Sequence, residues 1–170
     1  MRAFYEHWRA LRGSVLMPGS DIFLDTMPAA FVGALYISDI TPEVSIVRFQ
    51  GAGLEKRWGV NYTGREMSTG QPASLRAALH RIDRAVADHP CGYFARTRYV
   101  TTDQRPVEVC ILRLPLAVLP GRPPRTVNFT VQDEVLGDKE YASGSLQTLR
   151  NAWIDIGAGV PDAAPEMLRQ

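Results

Sequence analysis

What is scarce in this sequence narrows its function before any motif is weighed. Among 170 residues there are two cysteines, Cys91 and Cys110. Neither lies in a CxxC, and two thiols so far apart do not make a disulfide scaffold. A reducing compartment fits best, with a single bridge between the two as the alternative. Charge of one sign is also missing. Nineteen Lys and Arg face 18 Asp and Glu, for a formal net charge of +1, which sets up no field to gather nucleic acid or an anionic membrane. No apolar run approaches the roughly 20 residues of a membrane span. The opening "MRAFYEHWRALRG" carries charges throughout and has no apolar signal-peptide core, so a cytoplasmic location is expected. A P-loop, a GxSxG, an HExxH and a dinucleotide-binding glycine pattern are all absent. The acids Asp39, Glu43, Glu55, Asp103 and Glu108 are scattered, without metal or acid/base spacing. The expectation is therefore a protein that is not an enzyme, although a Ser/His/Asp site assembled from distant residues is invisible to spacing.

What is present is an ordinary globular composition, 45% hydrophobic and 22% charged, in a chain long enough to bury a core. Residues 3 to 12 place Phe4, Trp8 and Leu11 at i, i+4 and i+7, the stripe of a short amphipathic helix ended by Gly13. A second short helix is interrupted near Pro28. Strand character follows at 33–40 and 43–51, joined by Thr41-Pro42, and "AGLEKRWG" reads as one or two helical turns ended by Gly59. The clearest helix is 72–90, with Pro72 in its first turn and Pro90 just past its end. Leu75, Leu79, Ile82 and Val86 form its buried stripe; Arg76, His80, Asp83 and Arg84 fall on the polar side. Three strands are predicted at 92–102, 106–119 and 125–134, the second bent or at an edge near Pro115. "SLQTLRNAWIDIG" reads as a C-terminal helix, with Leu146, Leu149, Trp153 and Ile156 at spacings of 3, 4 and 3.

Two strands, a helical crossover and a three-strand meander describe an α+β domain with one antiparallel sheet. That order is the order of a PAS domain, and particular residues extend the match. "FYEHWRALRGSVLMPGSDIFLDTMP" is similar to an opening of the type "YWRSLRGG…P.RSDIDP", with Asp39 at the end of the first strand. "IVRFQGAGLEKRWGVNYTGRE" is similar to "YRLVGT…ERYGRDLTGR", where Gly51, Glu55, Arg57, Trp58, Gly59, Thr63, Gly64 and Arg65 match. On these stretches the chain resembles a bacterial family of stand-alone PAS-like domains, known mainly as predicted proteins of alphaproteobacteria, over roughly residues 4 to 134. The resemblance implies a five-stranded antiparallel sheet with helices on one face and extra helices at both ends. The expected organisation is flanking helices over 1–30, a PAS-like core over 31–136, and a C-terminal helix and tail over 137–170. The implied role is a cytoplasmic sensor or adaptor with no attached output domain, binding a small ligand, a protein partner or both.

No ligand follows from the resemblance, because PAS domains hold haem, flavin, metabolites or nothing. His80 falls on the polar side of its helix, where it would not ligate haem. The reactive-cysteine segment of light-sensing relatives is absent, and Cys110 reads as a core residue. The cofactor therefore stays unknown. A small-molecule pocket between helices and sheet would draw on Trp58, Asn61, Tyr62, Tyr99 and Asn128. Each also has a plainer reading: Trp58 in the core, Asn61 serving a turn, Asn128 exposed. The stripe Phe4, Trp8 and Leu11 packs either on its own sheet or on a partner's, the latter making a homodimer. A ligand-free interaction module and a small enzyme on a cone-like α+β scaffold are the competing classes.

Overall fold

The computed structural model describes residues 1–101, 103–132 and 145–168. The chain runs α1 (Arg2–Arg12), α2 (Ser20–Asp25), α3 (Ala29–Val32), β1 (Leu35–Ile40), β2 (Ser45–Gln50), α4 (Ala52–Trp58), α5 (Ala73–Asp88), β3 (Gly92–Val100), β4 (Pro106–Leu116), β5 (Arg125–Gln132) and β6 (Gln147–Ile154). The strands form one antiparallel sheet in the order β2-β1-β5-β4-β3-β6. The α+β class and the succession of two strands, helical crossover and three-strand meander are as the sequence predicts. The end of the strand predicted over 125–134 and the expected boundary between 136 and 137 lie outside the described residues.

Two architectural expectations are corrected. The sheet has six strands, not five, because the segment predicted as a C-terminal helix is β6. Leu146, Leu149, Trp153 and Ile156 do recur at helical spacing, but β3 offers them a free edge, and backbone pairing from Gly92↔Ile154 to Arg98↔Gln147 prevails over local propensity. Trp153 lands on Tyr93, ring centroids 5.4 Å apart. Nor do the helices keep to one face. One face of the sheet carries Leu35, Ile37, Leu112, Leu114, Val127 and Phe129, and α1 and α2 cover it with Phe4, Trp8 and Phe23. The other face lies under α4 and α5. Pro115, expected at a bend or edge, is the last residue but one of the central strand β4, opposite Thr126, and its carbonyl accepts the Trp8 indole N–H at 3.1 Å.

The N-terminal stripe is accordingly turned into the chain's own core. Phe4 and Trp8 are fully buried, and Leu11 packs against the same cluster. The Phe4 ring stacks on Phe129 at 4.4 Å and meets Phe31 edge-on at 5.6 Å. Of the two placements open to the stripe, packing on the chain's own sheet is the one adopted, with Phe4 and Trp8 buried inside the chain.

Beneath α1 and α2, Asp39 accepts the Nε–H groups of Arg48 from β2 and Arg125 from β5, each at 2.7 Å, tying three strands together. Close backbone approach fixes the entry to α4. A Cβ on Gly51 would lie 1.9 Å from the Val32 carbonyl oxygen, so only glycine fits.

Candidate functional site

Strand alternation places Tyr36 and Ser38 of β1, Ser45 of β2, Tyr99 of β3, Val109, Ile111 and Arg113 of β4, and Thr130 of β5 on the face beneath α4 and α5. These side chains floor a cavity of about 430 Å³. Leu79, His80 and Asp83 of α5 form one wall. The end of α4 and the segment after it form the other, with Trp58, Val60, Tyr62, Glu66 and Met67.

The segment 59–67 is held as a loop by local chemistry. Gly59 (φ 70°) ends α4 in the left-handed region, and Gly64 (φ 81°) turns the chain again. The carboxamide of Gln50 staples the loop down. Its Nε2–H donates to the Val60 carbonyl and its Oε1 accepts the Tyr62 N–H, both at 2.8 Å. Gly64 N–H donates to the Val47 carbonyl at 2.8 Å, and Val47 N–H to that of Arg65 at 2.9 Å. Tyr36, Trp58 and Tyr62 then follow one another edge to face, at 5.9 Å and 68°, then 6.3 Å and 69°.

The far end of the cavity is polar and buried. Arg113 is 6% exposed and Asp83 is 7% exposed. Nη1 of Arg113 lies 2.6 Å from Asp83 Oδ1, with its N–H off the line, so the contact is one of charge. The Arg113 Nε–H donates to Asn128 Oδ1 at 2.6 Å, and the guanidinium sits 5.7 Å over the Tyr93 ring. Burial works against the arginine's charge, but Asp83, Tyr36 and Tyr93 outweigh it and raise its pKa. Burial likewise raises the phenol of Tyr36, against the opposing pull of the nearby Arg113 guanidinium. Asp83 Oδ2 accepts the Ser45 hydroxyl at 2.5 Å, Ser45 Oγ lies 3.1 Å from His80 Nδ1, and His80 Nε2 lies 3.1 Å from the Pro42 carbonyl.

A serine, a histidine and an aspartate thus do converge, which their spacing in the chain conceals. Their order is wrong for nucleophilic catalysis. The serine sits between the acid and the base, and the acid is engaged by Arg113, whereas an activating relay needs the imidazole in the middle. The arrangement positions side chains; it does not activate one. Among the described residues no group of three His, Cys, Asp or Glu is placed to hold a metal ion.

Of the five residues expected at a pocket, three are brought together there: Trp58, Tyr62 and Tyr99. Asn61 faces outward; its Oδ1 accepts the Thr63 N–H at 2.9 Å and its Nδ2 donates to Glu55 at 3.0 Å. Asn128 is fully buried rather than exposed, but it stands behind Arg113, which it holds, and does not line the cavity. Asp83 and His80, assigned to a solvated helix face, line it instead. Tyr36, Ser38, Ser45 and Arg113 were not singled out by sequence. Arg113 did leave a signal, as a lone cation inside the apolar strand "VEVCILRLPL", where charge survives burial only with a partner.

Among solved structures, the fold is similar to a fungal LOV-domain photoreceptor, with 17% identity over 78% of this chain and 92% of that one and a TM-score of 0.47. It is similar to the Rhodobacter sphaeroides LOV protein at 13% identity over 81% and 71%, TM-score 0.46, and to a point-substituted RsLOV at 14% over 70% and 72%, TM-score 0.49. No family model and no curated protein matches the sequence.

Proposed function

We propose that the chain is a PAS-like sensor domain that takes a small molecule into the cavity between α4, α5 and the sheet. The observation that carries this reading is the cavity itself. About 430 Å³ of space remains between α4, α5 and the sheet, walled by aromatic rings and ending on a buried polar cluster, as ligand sites typically are. Trp58, Tyr62 and Tyr99 are the contact residues of this proposal. A ligand-free interaction module would fill the space with its own side chains.

The output runs through α5, because one helix serves both the cavity and the C-terminal tail. Leu79, His80 and Asp83 face the cavity. On the same helix, Arg81 forms a two-pronged ion pair with Glu166, at 2.9 Å for its shortest contact. Leu168 packs in the cluster formed by Leu75, Ala78, Ile82 and Val86. A ligand that prefers one seating of α5 shifts the seating of the tail by linkage, and a protein partner reads that change.

The test is native mass spectrometry of the protein purified from cells, followed by the same measurement under denaturing conditions. A small added mass that departs on denaturation is the expected result. A bare chain whose cavity takes up nothing from a metabolite mixture would overturn the reading.

A further inference from the structure

The lining of the cavity says which chemistry suits it, if the sensor reading above holds. Three rings, Tyr36, Trp58 and Tyr62, form a perpendicular series along one wall, with centroid spacings of 5.9 and 6.3 Å. Such a series presents both ring faces and ring edges, the two surfaces that a flat aromatic molecule packs on best. The space, about 430 Å³, lies within the ordinary range of ligand pockets, enough for one or two rings.

Charge decides the next point. The lining holds one arginine, Arg113, and its charge is met by Asp83 at 2.6 Å. The other lining acid, Glu66, has its cation, Arg76, at 3.7 Å and outside the cavity. Both nitrogens of His80 are engaged, by Ser45 and by the Pro42 carbonyl. An anionic ligand would therefore enter beside two carboxylates, with no cation among the described lining residues that lacks a counter-charge, at an unfavourable desolvation cost. Phosphate and carboxylate groups are disfavoured alike.

Two polar groups of the described lining are left over: the Nη1–H of Arg113, whose charge is met but which has no hydrogen-bond acceptor, and the hydroxyl of Ser38. Ser38 is 2% exposed, sits on the cavity face of β1 two residues from Tyr36, and has no hydrogen-bond partner among the described residues. A hydroxyl that faces the cavity without a protein partner is free to bond a ligand hydroxyl or carbonyl.

We propose that the occupant is a neutral, planar aromatic molecule of one or two rings whose single polar end is a hydrogen-bonding hydroxyl or carbonyl held by Ser38. The ring body lies against Tyr36, Trp58 and Tyr62. The proposal rests on the sensor reading and goes beyond it in naming the ligand class.

The test is calorimetric titration of the full chain with three probes of one shape: 2-naphthol, 2-naphthoate and naphthalene. Expected is saturable one-to-one binding of 2-naphthol at least tenfold tighter than 2-naphthoate. Ser38→Ala is expected to weaken 2-naphthol about fivefold, the size of one neutral hydrogen bond. It should leave naphthalene binding unchanged and should not lower the Tm of the empty protein, so misfolding cannot imitate the result. Binding of 2-naphthoate as tight as that of 2-naphthol, or indifference to Ser38→Ala, overturns the ligand class and leaves the sensor reading standing. If no probe binds and native mass spectrometry shows a bare chain, both fall.

Discussion

Removing the Asp83 carboxylate would leave the Arg113 guanidinium buried without its counter-charge. With both partners under a tenth exposed, Asp83→Ala is expected to cost about 3 kcal/mol or more, the usual penalty for breaking a buried pair from one side. Urea unfolding of the variant checks this, and the double replacement Asp83→Leu with Arg113→Met should recover much of the loss. A second residue-scale prediction concerns alkali. Burial pushes the Cys91 thiol up from 9.0 to about 11, with Asp155 adding to it, and burial also raises the Tyr36 phenol. Groups raised on folding favour the native state fully below their unfolded pKa. For Cys91 that contribution, about 3 kcal/mol at 1.36 kcal/mol per pKa unit, is lost as pH rises from 9 through 11. Tm measured across that window should fall, and less steeply in Cys91→Ala. At neutral pH an alkylating reagent should reach the half-buried Cys110 before the buried Cys91. At this scale the sequence was only half legible. Aromatic residues at the end of a short helix and in the loop after it announced Trp58 and Tyr62. The partnership of Asp83 with Arg113 joins residues 30 apart across two elements, and no local pattern encodes such a pair. Asp83 was misplaced because a helical wheel sorts residues by polarity, and a buried ion pair inverts that sorting.

Helices and strands were read more surely where the pattern was long. The stripe of α5 and the alternation of β3, β4 and β5 leave little choice of period. β6 was misread because eight residues with large side chains at mixed spacing fit either period, and the free edge of β3 decided the matter. α1 was found correctly but its apolar stripe had two destinations, which only the bare face of the sheet resolves. Phe4→Ala should therefore cost about 3 to 5 kcal/mol, as for other buried aromatics. It should leave the oligomeric state unchanged in sedimentation at fixed concentration. Gly51 yields a sharper prediction at this scale. Its φ is not positive, so backbone strain is not the reason for glycine; the Val32 carbonyl oxygen is in the way. Gly51→Ala must push α3 and α4 apart, and a loss of about 3 kcal/mol or more is expected in thermal unfolding.

At the scale of the whole molecule, the cavity lies on one face of the sheet and the N-terminal cluster fills the other, so loading the cavity should stiffen one side selectively. Hydrogen exchange at saturating ligand, ~100-fold above Kd, where linkage supplies ~2.7 kcal/mol, should slow amides in α5 and β6 more than those in α1. Equal slowing throughout would contradict a signal carried by α5. The class and the strand succession were legible from the order of elements, since connections in such domains are short and sequential strands tend to be neighbours. The two-sided covering of the sheet was not, because it depends on where the first 30 residues fold back.

The two margins of the sheet carry a consequence for self-association. Outside β2, the chain returns through Arg65 and Glu66, which bond to Val47 and bridge to Ile46. Outside β6, it returns again: Leu168 accepts the Thr148 N–H at 2.7 Å, while Asn151 and Trp153 donate to the carbonyls of Glu166 and Ala163. Each outer strand is thus bordered by the protein's own backbone, which blunts the strand-to-strand templating that begins fibres and domain-swapped ribbons. Copies of this molecule that meet at high concentration must do so through side chains, and a sheet continuous from one copy to the next would first require its own tail or loop to be peeled away.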